Sequence, residues 1–504
     1  MIIKDIFIPI LTGALLTLAY PPFKLGFLAY FGLLPIFYIA KNVSAKRAFI
    51  RGLFWGLGLN STSLYWICYD TVKGGVASII YLSFMISIIF IFINCAEKRF
   101  GKYFIFMFPF MWTAWELLRA IGIFGFPWLS IAYTQTYYTS LIQFASITGV
   151  YGVSFWICLI NIIIYYVIYN LKIKNVIMSF AILLMIFAVP FIYSNRELKK
   201  DMLESNSLKI ALIQGNIPPK IKLQTSSIRS NFDTYVRLTR DASQKKPDIY
   251  IWPESATYSY IRYNSLYFNL LKEVANEMKV PIFTGALDIE YDKSGDKAKY
   301  YNSAFLISPF SDSLEVYSKI HLVPFSEWVP FGDIFPFLYN VDIATGDFSR
   351  GKDFTIFTIP KKLQEGKEFS LQKDIRFSAV ICFESIFSDL VRQFCKKGAE
   401  FLIVITNDAW FGKSTAPYQH TQIAVFRSIE NRIPIARCAN TGISMFIDKM
   451  GRIIKQSKIF TESILIGNIC LRNEETFYTR YGEIFAYIIT SLGVIFMLIS
   501  IVKK

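Results

Sequence analysis

Histidine is nearly missing from this chain, with two in 504 residues, His321 and His420. Charged residues make up only 18% of it. There is no H-E-x-x-H, no paired C-x-x-C and no Asp-rich loop, so no metal site is expected. A Gly-rich phosphate loop ahead of a helix is missing too, as is G-x-S-x-G, which removes the common nucleotide-binding and serine-hydrolase signatures. No cofactor is expected. Seven cysteines over this length are too few for a disulfide scaffold, although a pair among Cys395, Cys438 and Cys470 stays open. The net charge is +16, but no basic run has nucleic-acid spacing, which argues against nucleic acid as a partner.

Apolar residues are what the chain has in excess. They make up 54% of it, and the mean hydropathy is +0.40. The excess is uneven. Residues 1–193 and the last twenty or so are dominated by Ile, Leu, Phe, Tyr and Gly, whereas the block between has the mixed character of a globular domain. A spanning helix needs about 20 apolar residues. Candidate spans are Ile2–Tyr20, Phe23–Ala40, Ala48–Ile67, Val76–Asn94, Tyr103–Arg119, Val153–Asn170, Val176–Tyr193 and Ile484–Val502. The first is read as an anchor rather than a cleaved signal, because no small-residue cleavage site follows it.

Lysine and arginine set the expected orientation. With a cytoplasmic N-terminus the inner loops carry Lys4, Lys41, Lys46, Arg47, Arg51, Lys98, Arg99, Lys102, Lys172, Lys174, Lys503 and Lys504. The outer loops carry only Lys24, Lys73 and Arg119. By the positive-inside rule both termini are cytoplasmic and the globular block is external. Residues 120–152 are apolar but broken by Gly122, Gly125 and Pro127, so they are expected at the interface or re-entering. Glu116 and Arg119, near the same face, read as either a structural pair or contacts for a polar head group.

The expected organisation is a transmembrane domain over 1–193, a linker over 194–206, a catalytic domain over 207–472 and a last transmembrane helix over 484–502. In the globular block, strand-like runs such as LKIALIQ, DIYIWPES, IRFSAVICFES, FLIVITNDAWFG and IPIARCAN alternate with helical spacing, which argues an α/β fold. Glu254, Glu384 and Asn407–Asp408 fall just past strand ends, where α/β sites sit.

Three side chains make a candidate constellation. Cys382 is a possible nucleophile that needs a base and a positive neighbour. Glu254 can take a proton, and Lys319 can hold the charge of an oxyanion. Glu327, in a Pro-flanked loop, can serve as a second acid/base or orient substrate. Each also has an ordinary reading, as a small core residue, a turn carboxylate or a solvated lysine. A rival Cys–His pairing has only His321 and His420 to draw on, and histidines are more often structural hydrogen bonders than bases.

Taken together, WPES at Trp252–Ser255, the Lys of VYSKIHLVPFSEWVP and CFES resemble the nitrilase superfamily. NDAWFGKSTAPYQH, RCANTGISMFID, LAYPPF and GFPWLSIAYTQ resemble its membrane branch, the bacterial apolipoprotein N-acyltransferases. The resemblance runs from the first span to the last. It implies a polytopic α-helical membrane domain of about eight spans. Before the last span it implies an inserted nitrilase-like α-β-β-α sandwich.

By the same resemblance Glu254 is the general base, Lys319 steadies the oxyanion and Cys382 carries the acyl group. Glu327 matches an additional essential Glu, Glu384 lies beside the nucleophile, and Trp252 and Trp410 line the pocket. Phe383 stands where the family commonly has Tyr, and Ser326, Glu327 and Trp328 where it has Gly-Glu-Tyr. The implied reaction moves a phospholipid sn-1 acyl chain through a Cys thioester to the α-amine of an S-diacylglyceryl-cysteine on an apolipoprotein. A monomer in the bacterial cytoplasmic (inner) membrane is expected, with the catalytic domain on the periplasmic side. The rivals are a membrane-tethered nitrilase-type amidase and a transporter or receptor with an external binding domain. Few charges within the spans argue against the last.

Overall fold

A computed structural model describes residues 3–200, 207–218, 225–291, 298–335, 347–360 and 374–502. The chain divides into two compact units, Met1–Met202 with Tyr481–Lys504, and Leu203–Arg480. Lys503 and Lys504, used above for orientation, lie outside the described residues, as does 201–206 of the expected linker.

The first unit is helical. Among the described residues, four helices are long and apolar enough to cross a membrane: Val72–Ala120, Ala145–Tyr169, Ile173–Lys199 and Ile484–Ile501. This is a multi-pass membrane protein, but four such helices are fewer than the eight segments expected. The reasons are local. Val72–Ala120 joins two expected segments through the 3-10 turn Gly101–Met107. The segment at 23–40 is broken at Leu33, ahead of Pro35, and Asn161 fills the break. Its Oδ1 accepts from Leu33 N at 3.1 Å and its Nδ2 donates to Ala29 O at 2.9 Å. Helix Ala45–Ser63 has 19 residues but ends in Asn60-Ser-Thr-Ser, which lowers its hydropathy. It packs tightly on helix Ile8–Leu16 through glycine. A Cβ on Gly58 would lie 2.2 Å from Ile10 O, and one on Gly13 2.1 Å from Trp55 O.

The linker expected from 194 is instead helical as far as Lys200, because Arg196–Lys200 is a run of good helix formers that extends helix Ile173–Lys200. The stretch 120–152 is turns and a 3-10 segment, Ile131–Gln135, and its residues 128–135 are buried inside the unit.

The second unit is built on two sheets. The first is seven-stranded: β1 (Ser207–Gln214), β2 (Ile249–Ile251), β3 (Thr257–Tyr260), β4 (Ile282–Tyr291), β5 (Ala298–Ile307) and β6 (Leu314–Ser318), closed by β13 (Ser463–Cys470). The second orders β12 (Ile453–Gln456), β11 (Met445–Ile447), β10 (Ile435–Ala439), β9 (Phe401–Thr406), β8 (Ile375–Ile381) and β7 (Phe357–Ile359). β1, β2 and β4 run parallel, as do β8, β9 and β10. Helices Ile228–Ser243 and Ser265–Met278 cover the outer face of the first sheet, burying Phe232, Tyr235, Leu271 and Val274 against Ala211, Ile213 and Ile282. The other face meets the second sheet, where Phe283 packs edge-on against Phe357 and Phe377 at 5.1 and 5.6 Å. Helices Ser388–Lys396 and Ala416–Asn431 connect β8 to β9 and β9 to β10. Crossovers of one hand in one direction put both on the same, outer face. The result is the α-β-β-α sandwich expected, with a nearly fully apolar β8 leading to Cys382.

Candidate active site

The site residues lie where parallel strands end. Glu254 follows β2, Cys382 follows β8 and Asn407–Asp408 follow β9. Lys319 follows β6, and Asn302 sits within β5. The WPES turn lies tightly against β4 because residue 285 is glycine. A Cβ there would be 2.7 Å from Glu254 Cα.

Lys319 is 1% exposed and bracketed by acids. Its Nζ donates to Glu327 Oε1 at 2.8 Å and lies 3.7 Å from Glu254 Oε1. Asn302 Nδ2 bridges the two carboxylates, donating to Glu254 Oε1 at 2.8 Å and Glu327 Oε1 at 3.1 Å. Their other oxygens accept from backbone, Glu254 Oε2 from Asn407 N at 2.8 Å and Glu327 Oε2 from Val323 N at 2.9 Å. Burial works against the charge on Lys319, but Glu327 and Glu254 outweigh it and hold the ammonium above the ordinary lysine range. Burial also pushes the half-buried Cys382 thiol up. The charge of Glu254 adds to that rise and the charge of Lys319 opposes it. At rest Cys382 is therefore a thiol, under the charges of Glu254 and Lys319.

The backbone of Cys382 is held in an unusual conformation. Cys382 has φ of 53°, in the left-handed region, and opens the 3-10 turn Cys382–Ile386. Its carbonyl accepts from Ser385 Oγ at 2.9 Å and from His420 Nε2 at 3.1 Å. Behind His420 stands a buried ion network. Nδ1 is 3.0 Å from Asp408 Oδ1, while Arg437 Nη2 donates to Asp408 Oδ2 at 2.8 Å and lies 3.0 Å from Nδ1. Burial opposes ionisation of Asp408, yet Arg437 and His420 hold its carboxyl well below the usual range. Burial, then Arg437, push His420 down, so the ring is neutral near pH 7. Nε2 also lies 3.0 Å from Ser385 Oγ, so both ring nitrogens are engaged by the turn and by the ion network. His420 thus holds the turn of Cys382 in place.

The nearest ligand atoms of Cys382, Asp408 and His420 lie within 4.8 Å of one another, which is close enough for a metal ion. Arg437 already sits against the Asp408 and His420 acceptors, and its charge opposes a second cation there.

Glu384 ties the site together. Its Oε1 accepts from Tyr317 Oη, Ile320 N and His321 N at 2.8, 2.7 and 3.0 Å, and its Oε2 accepts from Ile381 N at 2.8 Å. One carboxylate therefore joins the loop of Lys319 to the turn of Cys382. Burial raises its pKa, against the pull of those donors.

Phe383 is buried edge-on to Phe387, and Trp410 is half-buried in the 3-10 turn Asp408–Phe411. Trp252, expected to line the pocket, belongs instead to the core. It is 0% exposed, stacks on Tyr235 at 5.2 Å and donates from Nε1 to Thr239 Oγ1 at 2.9 Å, because its side chain points away from the turn toward the covering helix. Asn302, Ser385 and Arg437 carry no chemical signal of their own in the sequence, although Ser385 closes CFES and Arg437 opens RCANTGISMFID. Cys68, Cys95, Cys158, Cys382, Cys395 and Cys438 are free thiols.

The unit that carries this strand-end cysteine and the buried Glu–Lys–Glu cluster is matched over residues 209–476 by the family described as Carbon-nitrogen hydrolase. A second, the Apolipoprotein N-acyltransferase N-terminal domain, matches residues 12–163. The apolipoprotein N-acyltransferase of Geobacter metallireducens is 36% identical over 501 residues, covering 96% of this chain and 93% of its own. Proteins of the same name from Pasteurella multocida and Chlorobaculum tepidum are 30% and 28% identical, covering 95% and 99% of this chain and 92% and 97% of their own. The chain belongs to the apolipoprotein N-acyltransferase family.

Proposed function

We propose that this acyltransferase takes the sn-1 acyl chain of a phospholipid onto Cys382 and passes it to the α-amine of an S-diacylglyceryl-cysteine at the N-terminus of an apolipoprotein. The observation that carries this reading is the Glu254–Lys319–Glu327 cluster acting on the Cys382 thiol, in a unit whose chain continues at both ends into apolar helices.

Glu254 is the base and Lys319 the oxyanion-stabilising residue. Because the resting thiol is protonated, attack and proton transfer go together. The sulfur attacks the ester carbon as Glu254 takes its proton, and the oxyanion forms near the Lys319 ammonium. On collapse the bond between the acyl carbon and the glycerol oxygen breaks, and the leaving alkoxide receives the proton from Glu254. That releases lysophospholipid and leaves a thioester. In the second half the neutral α-amine attacks the thioester and loses a proton to Glu254. The C–S bond then breaks and the proton returns to sulfur. Glu327 and Asn302 keep Lys319 and Glu254 in register throughout. Two lipid-borne substrates gain from being held rather than met in water.

The same proposal has the chain cross the bacterial inner membrane eight times as a monomer, on the hydropathy of the segments named above. Both termini are cytoplasmic and the catalytic domain, 207–472, is periplasmic, on the Lys and Arg asymmetry. Cysteine-accessibility labelling that found that block in the cytoplasm would reject this orientation. The chemistry is tested by exposing the purified protein to phospholipid alone and weighing it intact. One acyl group should appear on Cys382 and move to a diacylated lipopeptide on its addition. Free fatty acid as the main product, with no triacylated peptide, would mean a hydrolase instead.

A further inference from the structure

The membrane unit holds a buried cation with no acid of its own. Arg119, in the last turn of helix Phe108–Ala120, is 8% exposed, and its Nε and Nη2 have no hydrogen-bond acceptor among the described residues. Its guanidinium lies 4.9 Å from the ring centre of Trp115. The carboxyl one turn away is already taken. Glu116 Oε1 accepts from Trp112 Nε1 and Ile131 N at 3.1 and 2.8 Å, and Oε2 accepts from Ser130 Oγ and Ser154 Oγ at 2.5 and 2.6 Å. The Glu116–Arg119 pair open from sequence is therefore not made.

A guanidinium keeps its charge in proteins, and a charge within an apolar unit without a counter-ion is unfavourable unless a ligand supplies one. Around Arg119 the surface is apolar. Leu118, Ile121, Ile123 and Phe124 on its own segment are 51, 59, 38 and 40% exposed, as are Ile80 and Tyr81 at 53 and 37% on helix Val72–Phe100. Phe124 meets Tyr81 with ring centres 6.1 Å apart, which joins the two segments into one collar. A cation at the base of an exposed apolar collar matches a molecule with an anionic head and hydrocarbon tails.

We propose that Arg119 binds the phosphate diester of a glycerophospholipid whose acyl chains lie along this collar, and that this lipid is the acyl donor. The donor part rests on the function proposed above. A planar fork of donors suits two phosphate oxygens, which lysine cannot match.

The test uses full-length protein in detergent and follows thioester formation on Cys382 by intact mass, with dioleoylphosphatidylethanolamine or with the phosphate-free p-nitrophenyl oleate. Arg119→Gln should raise the half-saturating phospholipid by roughly tenfold or more and Arg119→Lys by about threefold. Both should react with the p-nitrophenyl ester within about twofold of wild type, which also shows that they are folded. Equal loss on both donors, or no change on either, overturns the proposal. Wild-type protein that gains acyl mass from the p-nitrophenyl ester but none from phospholipid would instead overturn the donor assignment, whatever the variants do.

Discussion

The two units treat buried charge in opposite ways. In the catalytic unit charges are buried in company. Lys319 lies between Glu254 and Glu327, Asp408 holds Arg437, and Arg427 pairs with Glu430 at 3.1 Å. In the membrane unit the Glu116 carboxyl is surrounded by two hydroxyls, an indole and a backbone amide, and the Arg119 guanidinium by a tryptophan ring. Clustered ions can exchange protons and shift one another's titration, which acyl transfer needs. An acid solvated by neutral dipoles is fixed in place and chemically quiet. Glu384, held by a phenol and three backbone amides, repeats the quiet arrangement inside the catalytic unit, so it is the company of other ions rather than burial that marks the reactive groups.

Substitutions can break that comparison, and the largest effect is expected at the nucleophile. Cys382→Ser should fold normally and show no acyl mass, with transfer down by about 10⁴ or more. Detectable acyl-serine at a similar rate would mean that the thiol is not special. Next is Lys319→Met, which leaves two buried carboxylates without their cation. Activity should fall about 10³-fold and unfolding in denaturant should show a loss of about 3 kcal/mol. Lys319→Arg should rescue little, since a guanidinium does not fit a space shaped by an ammonium.

The pH dependence tests the second network. The carboxyl of Asp408 is depressed in the folded state, so its ionised form stabilises the fold. That contribution is complete above the unfolded value of about 3.9 and is lost as pH falls below it toward the folded value. Asp408→Asn should cost about 3 kcal/mol at neutral pH and flatten the loss of stability between about pH 4 and 2, as read by urea unfolding. A variant as acid-sensitive as wild type would place the titration elsewhere.

Smaller effects are expected at His420. As a positioning residue, it should show a kcat about 10–100-fold lower in His420→Ala, with partial recovery in His420→Gln, whose amide can still donate to the Cys382 carbonyl. The pH profile of kcat should keep its shape. Loss in His420→Gln as deep as in Cys382→Ser would make this histidine the base after all. The mildest change should be Glu116→Gln, expected to cost about 1 kcal/mol or less in thermal unfolding, because its hydroxyl neighbours can reverse their bonds. The same exchange at Glu254 should abolish transfer, and equal tolerance at both positions would remove the distinction between the units.

Much of the catalytic fold was legible in the sequence because its parallel strands are short and apolar and end at polar residues. DIYIWPES and IRFSAVICFES announced both the strands and the carboxylate or thiol beyond them. What escaped notice depends on distance along the chain. β13 pairs with β1 over their whole lengths, Ser207 opposite Cys470, and nothing in either segment names its partner. Asn302 looks like any polar residue in a strand until Glu254 and Glu327 arrive on either side. The resemblance puts Trp252 in the pocket, but β2 ends at Ile251 and the chain turns at Pro253, so Trp252 goes to the covering helix while Glu254, two residues on, meets Asn407. Span counting was hardest, since a helix such as Ala45–Ser63 carries Lys46, Arg47 and Arg51 at one end and Asn60–Ser63 at the other and pairs through glycine rather than through bulk.

For inhibitor design the carboxylate of Glu384 is a point of leverage. Compounds aimed at the sulfur must discriminate among many reactive thiols. A ligand wedged beneath residues 317–321 would take the Tyr317, Ile320 and His321 donors from Glu384 and loosen its hold on Ile381. Lysine and cysteine would then lose their common anchor together, and the enzyme would be disarmed by a molecule that never contacts the reacting atoms.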